Sequence, residues 1–161
     1  MMPLFLAVLL ACTASAGGTQ TSPSDRDAIV ASVQKFFDTM TARDAAGAAS
    51  VLVPEGRFFS VRDADEGPRM GGLTFRDYLD GLAKVTQRRV ERMWDPEVRV
   101  HGRIATVWTR YDFHIDGKFS HCGVDAFDLV KTQEGWKISG AVYTVERTGC
   151  PPSPLGPLPK E

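Results

Sequence analysis

Apolar residues near the start of the chain recur with a helical period: Ile29, Val33, Phe36, Phe37 and Met40 fall at i, i+4, i+7, i+8 and i+11, the stripe of an amphipathic helix. Ser24 followed by Asp27 gives that helix a capping-box-like start. Asp44 then caps a second, short helix over 45–53, whose mostly small residues permit close approach to the first and which stops where Pro54 and Gly56 intervene. Residues 57–62 read as a short strand, and 67–72 as a loop or second small strand. Thr74 with Asp77 forms another capping box, and Phe75, Tyr78, Leu79, Leu82 and Val85 continue as a third helical stripe.

From Val90 onward the period changes to two. Aromatic and β-branched residues alternate with polar ones, and turn signals stand at His101-Gly102, Asp116-Gly117 and Glu134-Gly135. The pattern predicts four antiparallel strands, 89–101, 103–115, 118–131 and 136–147, joined as a meander. The last eleven residues hold Pro151, Pro152, Pro154, Pro157 and Pro159, a composition that neither pairs in a sheet nor buries a core. The expected organisation is a leader at 1–16, a linker at 17–24, one α+β domain at 25–149 and a disordered Pro-rich tail at 150–161. No internal repeat is visible.

Composition narrows the function classes. With 161 residues, 43% of them hydrophobic, and a formal net charge of −1, the chain is sized for one soluble globular domain and lacks the basic excess of nucleic-acid binders. The run Gln87-Arg88-Arg89-Val90-Glu91-Arg92 is its one basic cluster, too narrow for a phosphate-tracking stripe, and reads as a solvated strand edge or helix end. The apolar run at 3–16 is too short to span a bilayer, but its apolar stretch followed by Ala14-Ser15-Ala16 fits a secretory signal cleaved after Ala16. The protein is thus expected to be exported, periplasmic or secreted. The alternative is lipidation of Cys12 within Leu9-Leu10-Ala11-Cys12.

Either route leaves Cys122 and Cys150 in an oxidising compartment, where a disulfide is the simple expectation and a buried free Cys122 the alternative. There is no C-x-x-C or H-E-x-x-H spacing, so no metal site is expected, nor is any cofactor.

Three helices, a short strand pair and a long meander make one sheet curling around helices. The chain here resembles the nuclear transport factor 2-like superfamily, which includes ketosteroid isomerase, scytalone dehydratase and the SnoaL-type polyketide cyclases. The resemblance covers Asp25 to about Arg147 and is carried by "AIVASVQKFFDTMTARDAAGAASVLVPEG", "TFRDYLDGL" and above all "ATVWTRYDFHIDGKFSHCGVDAFDLVKTQEGWKISGAVYT". The last segment is most similar to small exported members labelled lumazine-binding. The resemblance implies a cone-shaped cavity between the concave sheet and the helices, and a homodimer through the outer sheet face. It does not carry over the SnoaL-type run G-K-I-x-E-H-W with its downstream Asp: this chain reads Gly135-Trp136-Lys137-Ile138-Ser139-Gly140 instead.

A regular ladder built from a two-residue turn at Asp116-Gly117 gives the expected pocket. Ile115 then faces Lys118, Asp112 faces His121 and Trp108 faces Asp125. Alternation puts Trp108, Arg110, Asp112 and His114 on one face with His121, Asp125, Phe127, Leu129 and, from the last strand, Val142. Apolar walls with a few convergent ionisable groups suit a small, largely apolar ligand. Within that face Asp125, or an Asp112–His121 pair, is the candidate general base, and Arg110 the holder of an anionic ligand group. A bulge would reverse this register and turn Tyr111 and Cys122 inward. Three readings stay open: a small-molecule binder, a cofactor-independent isomerase, dehydratase or cyclase, and a non-catalytic dimeric interaction module.

Overall fold

A computed structural model describes residues 23–159. The expected leader with Cys12, most of the expected linker, and the capping side chain of Ser24 lie outside the described residues. In chain order the elements are α1 (Pro23–Ala42), α2 (Ala45–Ala49), β1 (Leu52–Arg62), β2 (Arg69–Thr74), α3 (Phe75–Leu82), β3 (Arg89–His101), β4 (Ile104–Ile115), β5 (Lys118–Thr132) and β6 (Gly135–Thr144). The strands form one six-stranded sheet in the order β2-β1-β6-β5-β4-β3, antiparallel except where β1 runs parallel to β6. This is the α+β architecture expected, with the meander where the alternation put it.

Local chemistry accounts for the element ends. Asp44 accepts a 2.8 Å hydrogen bond from the Gly47 amide at the start of α2. The hydroxyl of Thr74 accepts from the Asp77 amide at 3.1 Å and donates to its carboxylate at 2.6 Å. At the β4–β5 turn Asp116 and Gly117 have φ of 50° and 76°, the pair of positive values a type I′ turn requires. Two expectations need correction. α2 ends at Ala49 rather than 53, because Leu52 already pairs in parallel with Ile138 of β6. Val85 lies beyond α3, which closes at Leu82.

The stripe of α1 packs into the concave face of the sheet: Ile29, Val33, Phe36, Phe37 and Met40 are all buried, against Val107, Phe127, Leu129 and Ile138. α3 closes one side through Phe75 and Leu82. Gly56 is required there, since a Cβ at that position would lie 2.1 Å from the Phe75 ring. Cys122 and Cys150 are joined by a disulfide with Cα atoms 5.9 Å apart. The same two segments exchange backbone hydrogen bonds of 2.9 Å between Cys122 and Glu146, which pins the chain after β6 to β5. Beyond Cys150 the described residues contain turns and bends only.

Candidate functional site

Hydrophobic packing between α1 and the sheet stops short of one end of the cone and leaves a cavity of about 310 Å³. It opens where β1 and β6 end and where β3 and β5 begin, so its rim is built from strand termini and its floor from the core. Aromatic rings form the wall: Phe36 of α1, Phe58 of β1 and Tyr78 of α3 meet with centroids 5.2 to 5.4 Å apart, and Phe127 of β5 lies edge-on to Phe36. Such tilted and edge-on ring contacts are the arrangements aromatic pairs favour.

The polar side is contributed by inward positions of β3, β4, β5 and β6. Glu91 and Asp125 bring their carboxyl groups within hydrogen-bonding reach of each other. Burial disfavours the ionised form of both: Asp125 is pushed up to about 8, and Glu91, which also feels the charges of Asp125 and Asp112, rises well above the usual carboxylate range. Near neutral pH the pair therefore retains at least one proton, which can bridge the two groups. Asp125 is only 3% exposed, and its Oδ2 has no hydrogen-bond partner among the described residues. The Tyr78 hydroxyl, also in the cavity wall, is likewise unpartnered.

Three further groups frame this pair. Tyr111 donates a 2.6 Å hydrogen bond to the Thr144 carbonyl, and burial holds its phenol protonated. Tyr143 hydrogen-bonds Ser60, with its acidity also lowered by burial. His121 stacks on Phe113 with centroids 4.7 Å apart, and its Nδ1 lies 3.0 Å from the Ser120 hydroxyl. Burial and the nearby Arg147 hold the His121 pKa below its ordinary value, so the imidazole is neutral at pH 7. At the rim, Arg62 and Arg89 line the cavity and make no ion pair among the described residues.

The regular ladder holds only at its start. Ile115 pairs with Lys118 and His114 with Phe119, but Phe113 then pairs with His121, leaving Ser120 as an extra residue. This bulge shifts every later pair: Asp112 lies opposite Cys122, Arg110 opposite Val124 and Trp108 opposite Ala126. The expected face is thereby split. His121, Asp125 and Phe127 line the cavity together with Tyr111 and Phe113, whereas Trp108, Arg110, Asp112 and His114 sit on the outer face. Leu129 points inward but is sealed in the core below the cavity. A second irregularity, where Asp128 pairs with Gly140 and Leu129 with Ile138, turns Val142 outward, where it is 50% exposed.

Asp112 and His121 thus form no pair. Asp112 instead accepts two hydrogen bonds from Arg92, at 2.9 and 2.6 Å, and its Oδ1 lies 3.5 Å from His114 Nδ1. Desolvation lowers the His114 pKa, so this outer cluster is an Arg–Asp ion pair beside a neutral imidazole.

Sequence reasoning missed Glu91, Tyr78 and Tyr143. Glu91 was absorbed into the basic run at 87–92, and Tyr78 into a core stripe. The usable signal was alternation within β3, which places Arg89 and Glu91 on one face and Val90 and Arg92 on the other. Among the described residues no set of three or more His, Cys, Asp or Glu side chains is grouped to hold a metal ion. None of the described helices is long and apolar enough to cross a membrane.

A family model with the description "Putative lumazine-binding" matches residues 24–144. No curated protein matches. Among solved structures, a nuclear transport factor 2-like superfamily protein from Salmonella enterica serovar Typhimurium superposes with a TM-score of 0.62 at 14% identity, covering 81% of this chain and 96% of that one. A protein of unknown function with a cystatin-like fold from Nostoc punctiforme gives 0.62 at 10% identity, covering 85% and 99%. A nuclear transport factor 2-like protein of unknown function from Shewanella baltica gives 0.59 at 16% identity, covering 80% and 98%. At these identities the likeness carries the fold.

Proposed function

We propose, for a chain that belongs to this lumazine-binding family within the nuclear transport factor 2-like superfamily, that the protein is an exported binder of a small, largely apolar molecule held in the cone. The observation that carries the reading is the ring-walled cavity of about 310 Å³ in which two polar groups, Asp125 Oδ2 and the Tyr78 hydroxyl, have no partner among the described residues. A buried polar atom left unpaired costs about 1–3 kcal/mol, and a ligand that supplies the missing partner recovers it. The volume lies at the small end of ligand sites, which fits one compact molecule. The Cys122–Cys150 disulfide supports an oxidising, exported location.

A second reading rests on the Glu91–Asp125 pair. A carboxyl group with its pKa near 8 is suited to take or give a proton close to neutral pH, and Tyr143 beside it is a protonated phenol, whereas the Tyr111 proton is already donated to the Thr144 carbonyl. In that case Asp125 acts as general base in an isomerisation, dehydration or cyclisation that needs no cofactor. The exposed apolar outer face, with Trp108 and Val142, supports a homodimer through that face.

The test is native mass spectrometry of the mature exported protein, followed by denaturing extraction. A co-purifying small molecule supports the binder. An empty protein that also ignores a panel of apolar ligands leaves the interaction-module reading in its place.

A further inference from the structure

Resting on the binding reading above, we infer that the cone is selective for organic anions with an aromatic or unsaturated body, the acidic group held at the rim by Arg62 and Arg89 and a neutral hydroxyl or amide-type end turned inward to Glu91 and Asp125. The argument is a charge balance along the axis of the cavity. Arg62 ends β1 and Arg89 begins β3, strands separated in the sheet by β6, β5 and β4, and both line the same cavity. Both cations line the opening and make no ion pair among the described residues, and Arg147 follows β6 close enough to act on His121.

Deeper in, the carboxylic acids among the described lining residues are Glu91 and Asp125, where burial keeps at least one proton on the pair, and His121 adds no charge. The cavity is therefore net positive near pH 7, with its cations outermost. An incoming anion is drawn to the cations at the rim and meets none deeper in, which fixes its orientation. The same cavity is walled by Phe36, Phe58, Phe113 and Phe127, which suit an aromatic or unsaturated body. At the far end, Asp125 Oδ2 and the Tyr78 hydroxyl are open to a neutral hydrogen-bonding group.

The test uses dyes of similar size and different charge: 1-anilinonaphthalene-8-sulfonate, its uncharged parent N-phenyl-1-naphthylamine, and cationic proflavine. Binding is titrated by fluorescence on the mature, folded protein. The expected result is that the anion and the neutral dye both bind, the anion more tightly. In Arg62→Gln/Arg89→Gln the anion should lose about tenfold in affinity while the neutral dye changes less than about twofold, with an unchanged melting midpoint. Equal affinities for the three dyes, tighter binding of proflavine, or an anion affinity indifferent to both arginines would overturn the selectivity and leave the binding reading standing. Failure of all three dyes to bind would remove the binding reading, and this inference with it.

Discussion

Glu91 of β3 and Asp125 of β5 share hydrogen-bonding reach although β4 lies between their strands in the sheet. Sheet curvature makes the contact, carrying the edge strand over the concave face until two inward carboxyls meet beside Tyr111. Both groups act on the Tyr111 phenol and raise its pKa further than burial alone does. The pair thus couples three buried acidic groups at the polar side of the cavity.

The first prediction concerns the pH dependence of stability. Asp125 ionises near 3.8 when solvated but only near 8 in the fold, so the folded state prefers its protonated form. Its contribution is fully present below about pH 3.8 and is lost as the pH rises through 8. Asp125→Asn should therefore flatten this slope and raise the melting midpoint at pH 9 by at least about 3 °C, with little gain at pH 4. Thermal melts of both proteins across that range check it, and a parallel pair of profiles would refute the buried-pair assignment.

Much of this architecture is legible in the chain because helix periods, caps and turn residues are local signals. The stripe from Ile29 to Met40, the Thr74 cap and the Asp116-Gly117 turn each depend on a few neighbouring residues. The site is less legible because it depends on register, a long-range property. One extra residue, Ser120, moves Trp108, Arg110 and Asp112 to the outside while leaving His121 and Asp125 within. The hydrophobic pattern does not announce that bulge: both faces of β4 carry aromatics, Trp108 on one and Tyr111 and Phe113 on the other. Glu91 was hidden for a related reason, since a glutamate between two arginines reads as a solvated edge until sheet curvature turns it toward the cavity.

The outer-face ion pair gives the second prediction. Asp112 is almost fully buried and held by both hydrogen bonds from Arg92. Arg92→Met should cost about 3 kcal/mol in urea denaturation, because it strands a buried carboxylate. Adding Asp112→Leu to that variant should recover much of the loss. A double variant as unstable as the single one would mean that packing of the arginine stem, rather than charge, is what matters.

Tyr111 supplies a third. Its hydroxyl donates at 2.6 Å to the Thr144 carbonyl, while its ring is packed on all sides. Tyr111→Phe keeps the ring and leaves that carbonyl without this donor, so a loss of about 1 kcal/mol is expected. Urea denaturation at pH 7 measures it; no change would show that water replaces the phenol.

The disulfide yields the last. Cys122 and Cys150 are separated by 28 residues, a loop that encloses the whole of β6. Closing a loop of that length removes chain entropy from the unfolded state worth about 3–4 kcal/mol. Cys150→Ser should lower stability by a large part of that amount, and a reducing agent should do the same to the parent protein but nothing to the variant. The backbone pairing of Cys122 with Glu146 lies inside the same segment, so loss of the bridge should also raise amide exchange at those two residues. Exchange confined to 151–159 would show instead that β5 and β6 hold the segment unaided, and that the bridge secures only the proline-rich end.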